Sequence, residues 1–235
     1  MNKKITEQFI DDKRRRSYLG VIYNSIYRGK SILIEGDYGV GKSRFLELVK
    51  PKKLKLVRLE SLDKIHEILA AILEQLNYDV KPAYHLCSRH LKMITSLNDF
   101  MIVVDESNDL DPRLWPYFKR IIDAKIPMLF TGLPKVRTYL SNEHPDILSR
   151  LKLLILYPLI IDDLIQEYNS SFEAESIEQI YAATGSDLRK FKEICRDCRD
   201  KADELKQSKV DINLTLSILS DYIPGCFNYG FDNKK

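Results

Sequence analysis

Apolar residues fall in short unbroken runs through the first two thirds of the chain, then recur at helical spacing to its end. The run Phe100-Met101-Ile102-Val103-Val104 has no polar alternation, which suits a parallel strand buried on both faces. Residues 31–35 form a similar run, and residues 54–59, 127–131 and 153–156 add three further strand candidates. Between them, residues 43–49, 62–76, 84–97 and 112–124 place apolar side chains three and four apart, as amphipathic helices do. Asp111 before Pro112 is a capping residue followed by proline at the first helical position. Strands alternating with helices predict an α/β fold, a parallel five-stranded sheet flanked by helices. From about Asp162 the strand signals stop. Residues 163–168, 173–183, 186–206 and 213–222 all read as helices. The expected organisation is an α/β core over 1–162, a helical domain over 163–222 and a tail over 223–235.

Composition narrows the class without choosing a function. The chain has 235 residues, 44% hydrophobic and 30% charged, ordinary values for a globular protein. No apolar run approaches the roughly 20 residues that cross a bilayer. The charged N-terminus lacks the apolar core of a secretory signal, so a cytoplasmic protein with no membrane contact is expected. A net charge of +3 is too mild to demand nucleic acid. Basic residues nevertheless cluster at Lys13, Arg14, Arg15 and Arg16, and again at Lys50, Lys52, Lys53 and Lys55. Solvated helix ends and loops, or contacts to a phosphate backbone, both fit these clusters. Of the four cysteines, Cys87, Cys195, Cys198 and Cys226, only Cys195 and Cys198 form a C-x-x-C. The pattern around them is helical and no second pair sits at zinc spacing, so packing is their expected role.

The chemistry is concentrated just after the first strand. Gly36-Asp37-Tyr38-Gly39-Val40-Gly41-Lys42-Ser43 fits G-x-x-x-x-G-K-[ST], and the motif stands between a strand and a helix as a phosphate-binding loop requires. Glycines let backbone N–H groups turn inward around phosphate oxygens, and the following helix adds the positive end of its dipole. Lys42 is placed to reach the β- and γ-phosphates of ATP, with Ser43 a ligand for Mg²⁺; Arg44 completes the nucleotide-binding segment. Asp105 and Glu106 end the buried run at Val104. A carboxylate there can hold Mg²⁺ through its waters, and Glu106 can act as the general base on water. An Asp-Glu pair favours hydrolysis over transfer to a small acceptor.

The order of these motifs resembles the AAA+ superfamily, over roughly residues 17–205. Leu129-Phe130-Thr131-Gly132 is similar to the sensor 1 strand, which implies that Thr131 faces the γ-phosphate and the attacking water. Ser149-Arg150-Leu151 is similar to a segment carrying an arginine finger, which implies that Arg150 acts in a neighbouring subunit. Gly185-Ser186-Asp187-Leu188-Arg189 resembles the sensor 2 segment of the helical lid, which implies that Arg189 approaches the γ-phosphate. Within AAA+ the chain looks most like Mu B and TniB-type transposition ATPases, ExeA-type ATPases and origin-recognition initiators. Residues 69–77, the extended run Asp105-Glu106-Ser107-Asn108-Asp109-Leu110 and the segment from Gly132 to Leu159 carry that likeness. The resemblance implies a homo-oligomeric ring or filament that hydrolyses Mg-ATP between subunits and acts on duplex DNA in replication or transposition. The alternative is a nucleotide-dependent switch that regulates a protein partner without touching DNA. Two features depart from the pattern. Neither Arg58 nor Glu60 is the usual asparagine switch for Glu106, and no winged-helix or helix-turn-helix module follows the lid segment.

Overall fold

A computed structural model describes residues 13–59, 64–185 and 187–222. Glu60, Ser186, Cys226, the start of the 62–76 helix, the tail and the first twelve residues lie outside that description, as does the side chain of Lys13. The described chain forms two compact units. Among the described residues, the larger spans Lys13–Asp37 and Lys42–Tyr157; the smaller joins Tyr38–Gly41 to the chain from Pro158 to Tyr222.

Five parallel strands of five residues each build the larger unit: β1 (Ser31–Glu35), β2 (Lys55–Leu59), β3 (Phe100–Val104), β4 (Met128–Gly132) and β5 (Leu151–Ile155). Their order across the sheet is β2-β3-β4-β1-β5. The unbroken apolar runs become the three central strands, every residue of which is buried. β2 and β5, at the edges, are only partly covered. Helices between the strands are α2 (Lys42–Leu46), α3 (Ile65–Gln75), α4 (Cys87–Ser96), α5 (Trp115–Asp123), α6 (Pro134–Glu143) and α7 (Pro145–Leu148). Two of them begin as 3-10 turns, Tyr84–Leu86 and Pro112–Leu114. Asp111 caps the second, accepting from Arg113 N. Trp115, Phe118 and Phe130 meet with ring centroids 5.2 to 6.0 Å apart and lock α5 onto β4. Truncating Trp115 in such a packed site would cost about 3–5 kcal/mol.

Apart from small shifts at element ends, four elements differ from the sequence reading, which has no helix over residues 134–148, where α6 and α7 stand, or before the sheet, and which carries α2 too far. The helix after the glycine loop stops at Leu46 rather than Val49, because Leu48 and Val49 turn back onto Phe45 and Leu46. A helix over Lys13–Ile26, α1, precedes the sheet. Its apolar stripe is thin (Ile22 and Ile26 are buried beside Arg15 and Ser25), so its periodicity is faint. Tyr18 donates to Ile155 O at 2.9 Å and fastens α1 to β5.

The smaller unit contains α8 (Ile161–Tyr168), α9 (Ala174–Thr184), α10 (Leu188–Glu204) and α11 (Ile212–Tyr222). Tyr168 packs edge-on against Phe172 and Phe191. Cys195 and Cys198 are buried free thiols in this core. Burial pushes the Cys195 thiol up, and that of Cys198 to about 12. Among the described residues no helix is long and apolar enough to cross a membrane.

Candidate nucleotide site

Topology decides which side chains meet. β1 leads into the glycine loop, β3 leads into Asp105, and β4 lies between them. Thr131 on β4 is therefore set between the loop strand and the carboxylate strand. It is fully buried. Its hydroxyl donates to Asp105 Oδ1 and accepts from Glu106 N at 3.2 Å. Glu106 N also reaches Asp105 Oδ1 at 3.0 Å. These bonds hold Glu106 in the left-handed region, at φ 51°, a conformation costing a non-glycine residue on the order of 1 kcal/mol. Such local strain is found where the surroundings over-determine a functional residue. The resemblance turns Thr131 toward the attacking water; here its hydroxyl is engaged in orienting Asp105 and Glu106.

At the entry to the loop, Gly36 N donates to Gly132 O at 3.2 Å, joining the end of β1 to the end of β4. Lys42 Nζ donates to Gly36 O at 2.7 Å and to Asp37 O at 2.8 Å. Burial draws the Lys42 pKa down, and the carboxylates of Asp105, Asp37 and Glu106 oppose it. Those three groups therefore share one electrostatic neighbourhood with the ammonium. Ser43 is exposed at the start of α2, and Arg44 pairs with Glu47.

The apex of the loop belongs to the smaller unit. Leu188 N donates to Gly39 O at 3.0 Å, and Asp187 caps α10 by accepting from Arg189 N at 2.9 Å. Gly39 has φ +73°, and a Cβ there would lie 2.2 Å from Asp187 Oδ1. Conformation and space both exclude any other residue. Gly41 is also left-handed, at φ 88°. Val40 is buried, whereas Tyr38 is 73% exposed. The segment resembling sensor 2 thus meets the loop apex, with Arg189 exposed.

The donors present fit Mg-ATP. The left-handed glycines shape a backbone cradle, and the Ser43 hydroxyl and Asp105 carboxylate are hard oxygen ligands suited to Mg²⁺. Asp105 Oδ2 takes part in none of the hydrogen bonds that hold Oδ1.

Arg150 is not gathered into this cluster. The pairings Ser31 with Leu151 and Glu35 with Ile155 put it at the N-terminal end of β5. The glycine loop leaves the other end of β1, on the order of 15 Å away by strand rise. Arg150 Nε donates to Asp123 Oδ1 at 2.6 Å, beside a polar groove of about 500 Å³ that Arg28, Lys30, Lys125 and Lys152 also line. No described ion pair engages those four cations. Gly29 shapes this groove: at φ +66°, a Cβ would meet Lys125 O at 2.8 Å.

Three side chains of the site, Ser107, Asn108 and Glu35, are given no role by the sequence. Ser107 Oγ donates to Thr131 O at 2.7 Å, and Asn108 Oδ1 accepts from Leu133 N at 3.4 Å, tying the turn after β3 to β4. The Glu35 side chain is 3% exposed, with Arg137 Nε 3.2 Å from its Oε2. That approach lacks hydrogen-bond alignment, so Oε2 counts as unsatisfied. Burial raises the Glu35 pKa; Arg137 opposes and Asp37 adds to the shift. A charged residue in an apolar run is the one visible signal. The basic cluster on α1 also needs revision, because Arg15 is buried at 3% exposure. Helix burial removes it from any surface contact and leaves Arg14 and Arg16 facing solvent.

No protein-family model matches the chain, and no curated protein matches it. Solved structures do. The Aeropyrum pernix ORC2 protein, in ADPNP–ADP complexes, aligns over 94% of this chain and 70% of its own, with a TM-score of 0.67 and 14% identity. The Aeropyrum pernix ORC1 protein in complex with DNA aligns over 92% and 68%, with a TM-score of 0.68 and 16% identity. The Thermotoga maritima RuvB Holliday junction branch migration motor aligns over 94% and 72%, with a TM-score of 0.59 and 17% identity. The resemblance read from the motifs is therefore matched in three dimensions: this chain has the AAA+ P-loop fold.

Proposed function

We propose that this protein binds and hydrolyses Mg-ATP, completes its active sites between copies, and acts on duplex DNA in replication or transposition. The observation that carries the reading is the hydrogen-bonded cluster of Asp105, Glu106 and Thr131 at the mouth of the glycine loop. Lys42 and the loop amides would hold the triphosphate, and Ser43 and Asp105 would hold Mg²⁺, which would supply charge neutralisation on the phosphates. Glu106 takes the proton of the attacking water, and Thr131 keeps both acidic residues in register. Arg189 senses the nucleotide from the helical unit. Arg150 cannot reach its own loop across the length of a strand, so its permanent charge serves the nucleotide of a second copy.

The DNA reading rests on neighbours described with DNA and on the placement of the basic runs. α1 carries Arg14 and Arg16 near its start. Near its end, Tyr23 and Tyr27 accept from Lys50 N and Lys52 N at 3.0 and 3.1 Å. The two clusters therefore lie toward opposite ends of α1, on the order of 15 Å apart along its axis. The test is ATP turnover with and without duplex DNA, run alongside molecular mass. Turnover that rises on assembly and with DNA is expected. Hydrolysis indifferent to DNA, with no salt-sensitive duplex binding, would leave the switch that acts on a protein partner.

A further inference from the structure

In the larger unit a groove of about 280 Å³ opens among the start of α3 and the two 3-10 turns that precede α4 and α5. Tyr84, Tyr117, His66 and Arg113 line it, with Lys64 at the rim and Leu114 buried beneath. Two of these groups are set in an unusual way. Tyr84 is 75% exposed yet stands on a 3-10 turn at the start of α4 rather than on a loose loop. Arg113 is 89% exposed at its side chain, but its guanidinium is fixed. Nε donates to Asp111 Oδ1 and Oδ2 at 3.0 and 2.9 Å. Asp111 is itself anchored by Arg113 N at 2.9 Å.

A free surface arginine carries about 2 kcal/mol of rotamer entropy that it loses on binding. Asp111 has already removed much of that freedom, so a flat cation is presented with its plane set in advance. A planar guanidinium and a phenol ring are both stacking surfaces for a flat π system. Charge alone does not explain the groove. Arg113 is balanced by Asp111, and Lys64 lies 3.3 Å from Glu67. A ligand recognised only through phosphate would find little net attraction here. A ligand that offers a flat face, with a phosphate toward Lys64, would use the ring of Tyr84 and the guanidinium of Arg113 together with that ammonium.

We propose that this groove stacks an unpaired base of single-stranded DNA. A duplex hides the faces of its bases, so only a separated strand can use the site. The proposal goes beyond the functional reading above and needs no ATP hydrolysis. Its test is fluorescence anisotropy at equilibrium with three labelled probes: a short oligothymidylate, an abasic strand of equal length, and a duplex. Wild type should bind the intact strand about tenfold more tightly than the abasic one, the size of one lost base stack. Tyr84→Ala and Arg113→Ala should each remove that tenfold preference, whereas Tyr84→Phe should keep it. Binding of the duplex should not change in any of them, and an unaltered thermal midpoint shows that each variant is folded. Equal affinity for intact and abasic strands overturns the proposal, as does wild-type preference surviving in Tyr84→Ala. An equal loss on duplex would assign the groove to backbone contacts instead. Failure of duplex binding by wild type, with base-dependent single-strand binding retained, would count against the duplex reading alone.

Discussion

At the C-terminal ends of β1, β3 and β4, the polar groups Thr131, Ser107 and Glu35 are buried, and Thr131 and Ser107 are bonded within the cluster. At the N-terminal ends of β1 and β5, Arg28, Lys30, Lys125, Arg150 and Lys152 are exposed around an open groove, with Asp123 the acid bonded to Arg150. The first arrangement is nearly finished: Thr131 and Ser107 each donate to an acceptor, although Glu35 Oε2 is left without a hydrogen bond, and chemistry there needs little further reorganisation. The second is cationic and largely unpaired, so it is suited to receive an anion. Open α/β sheets place ligands outside the carboxyl ends of their strands. The proposed role of Arg150 requires head-to-tail association, the loop of one copy meeting the groove of the next. Such heterologous contacts close into rings or run on as filaments.

The comparison breaks first at Lys42. Lys42→Ala is expected to abolish tight Mg-ATP binding, measured by direct titration, because the loop loses its one mobile cation. Unchanged affinity would remove the finished end from the argument altogether. Arg150→Ala tests the other end. It should bind ATP yet turn over about 10³-fold or more slowly. Mixing it with Lys42→Ala protein should restore activity above the sum of the separate rates. A purely additive rate from variants that co-assemble would mean that the two ends do not meet. Glu106→Gln should keep nucleotide binding and lower turnover by about 10²–10⁴-fold, with wild-type turnover excluding it as the base.

Smaller effects sharpen the picture of the finished end. Thr131→Val keeps shape and removes one hydroxyl. A drop in kcat of about tenfold, or about 1.4 kcal/mol of barrier, is expected with little change in KM. A change confined to KM would make Thr131 a binding group instead. The smallest effect is at Glu35. Its folded pKa is raised above the ordinary 4.5, so the stability it contributes is fully present below that value. That contribution is lost as pH rises through the folded pKa. Glu35→Gln lacks this loss, so denaturant titrations should show the variant gaining on wild type as pH climbs above about 4.5. Parallel stability profiles across that range would mean that Arg137 fully offsets the burial.

Both core strands that flank the chemistry and the loop between strand and helix were legible in the sequence. Buried parallel strands write themselves as unbroken apolar runs, and a phosphate loop needs glycine and lysine at set spacing. Those constraints are local, so residues 31–43 and 100–106 displayed them directly. α1 was less legible because its buried stripe is interrupted by Arg15 and Ser25. α2 was overread because apolar residues beyond Leu46 are buried through turns rather than through helix.

Strand order, by contrast, has no local signature. Only the placement of β4 between β1 and β3 makes Thr131 a neighbour of both Asp105 and Glu106. The packing of Asp187 against Gly39 joins residues far apart in the chain, and the fixing of Arg113 by Asp111 depends on a turn geometry that composition does not record. The sequence by itself determined the strands, the loop and the identity of the acidic pair, since each follows from neighbours along the chain. Tertiary structure alone decided that Arg150 lies at the far end of the sheet from its own loop, because parallel register sets which ends of β1 and β5 coincide.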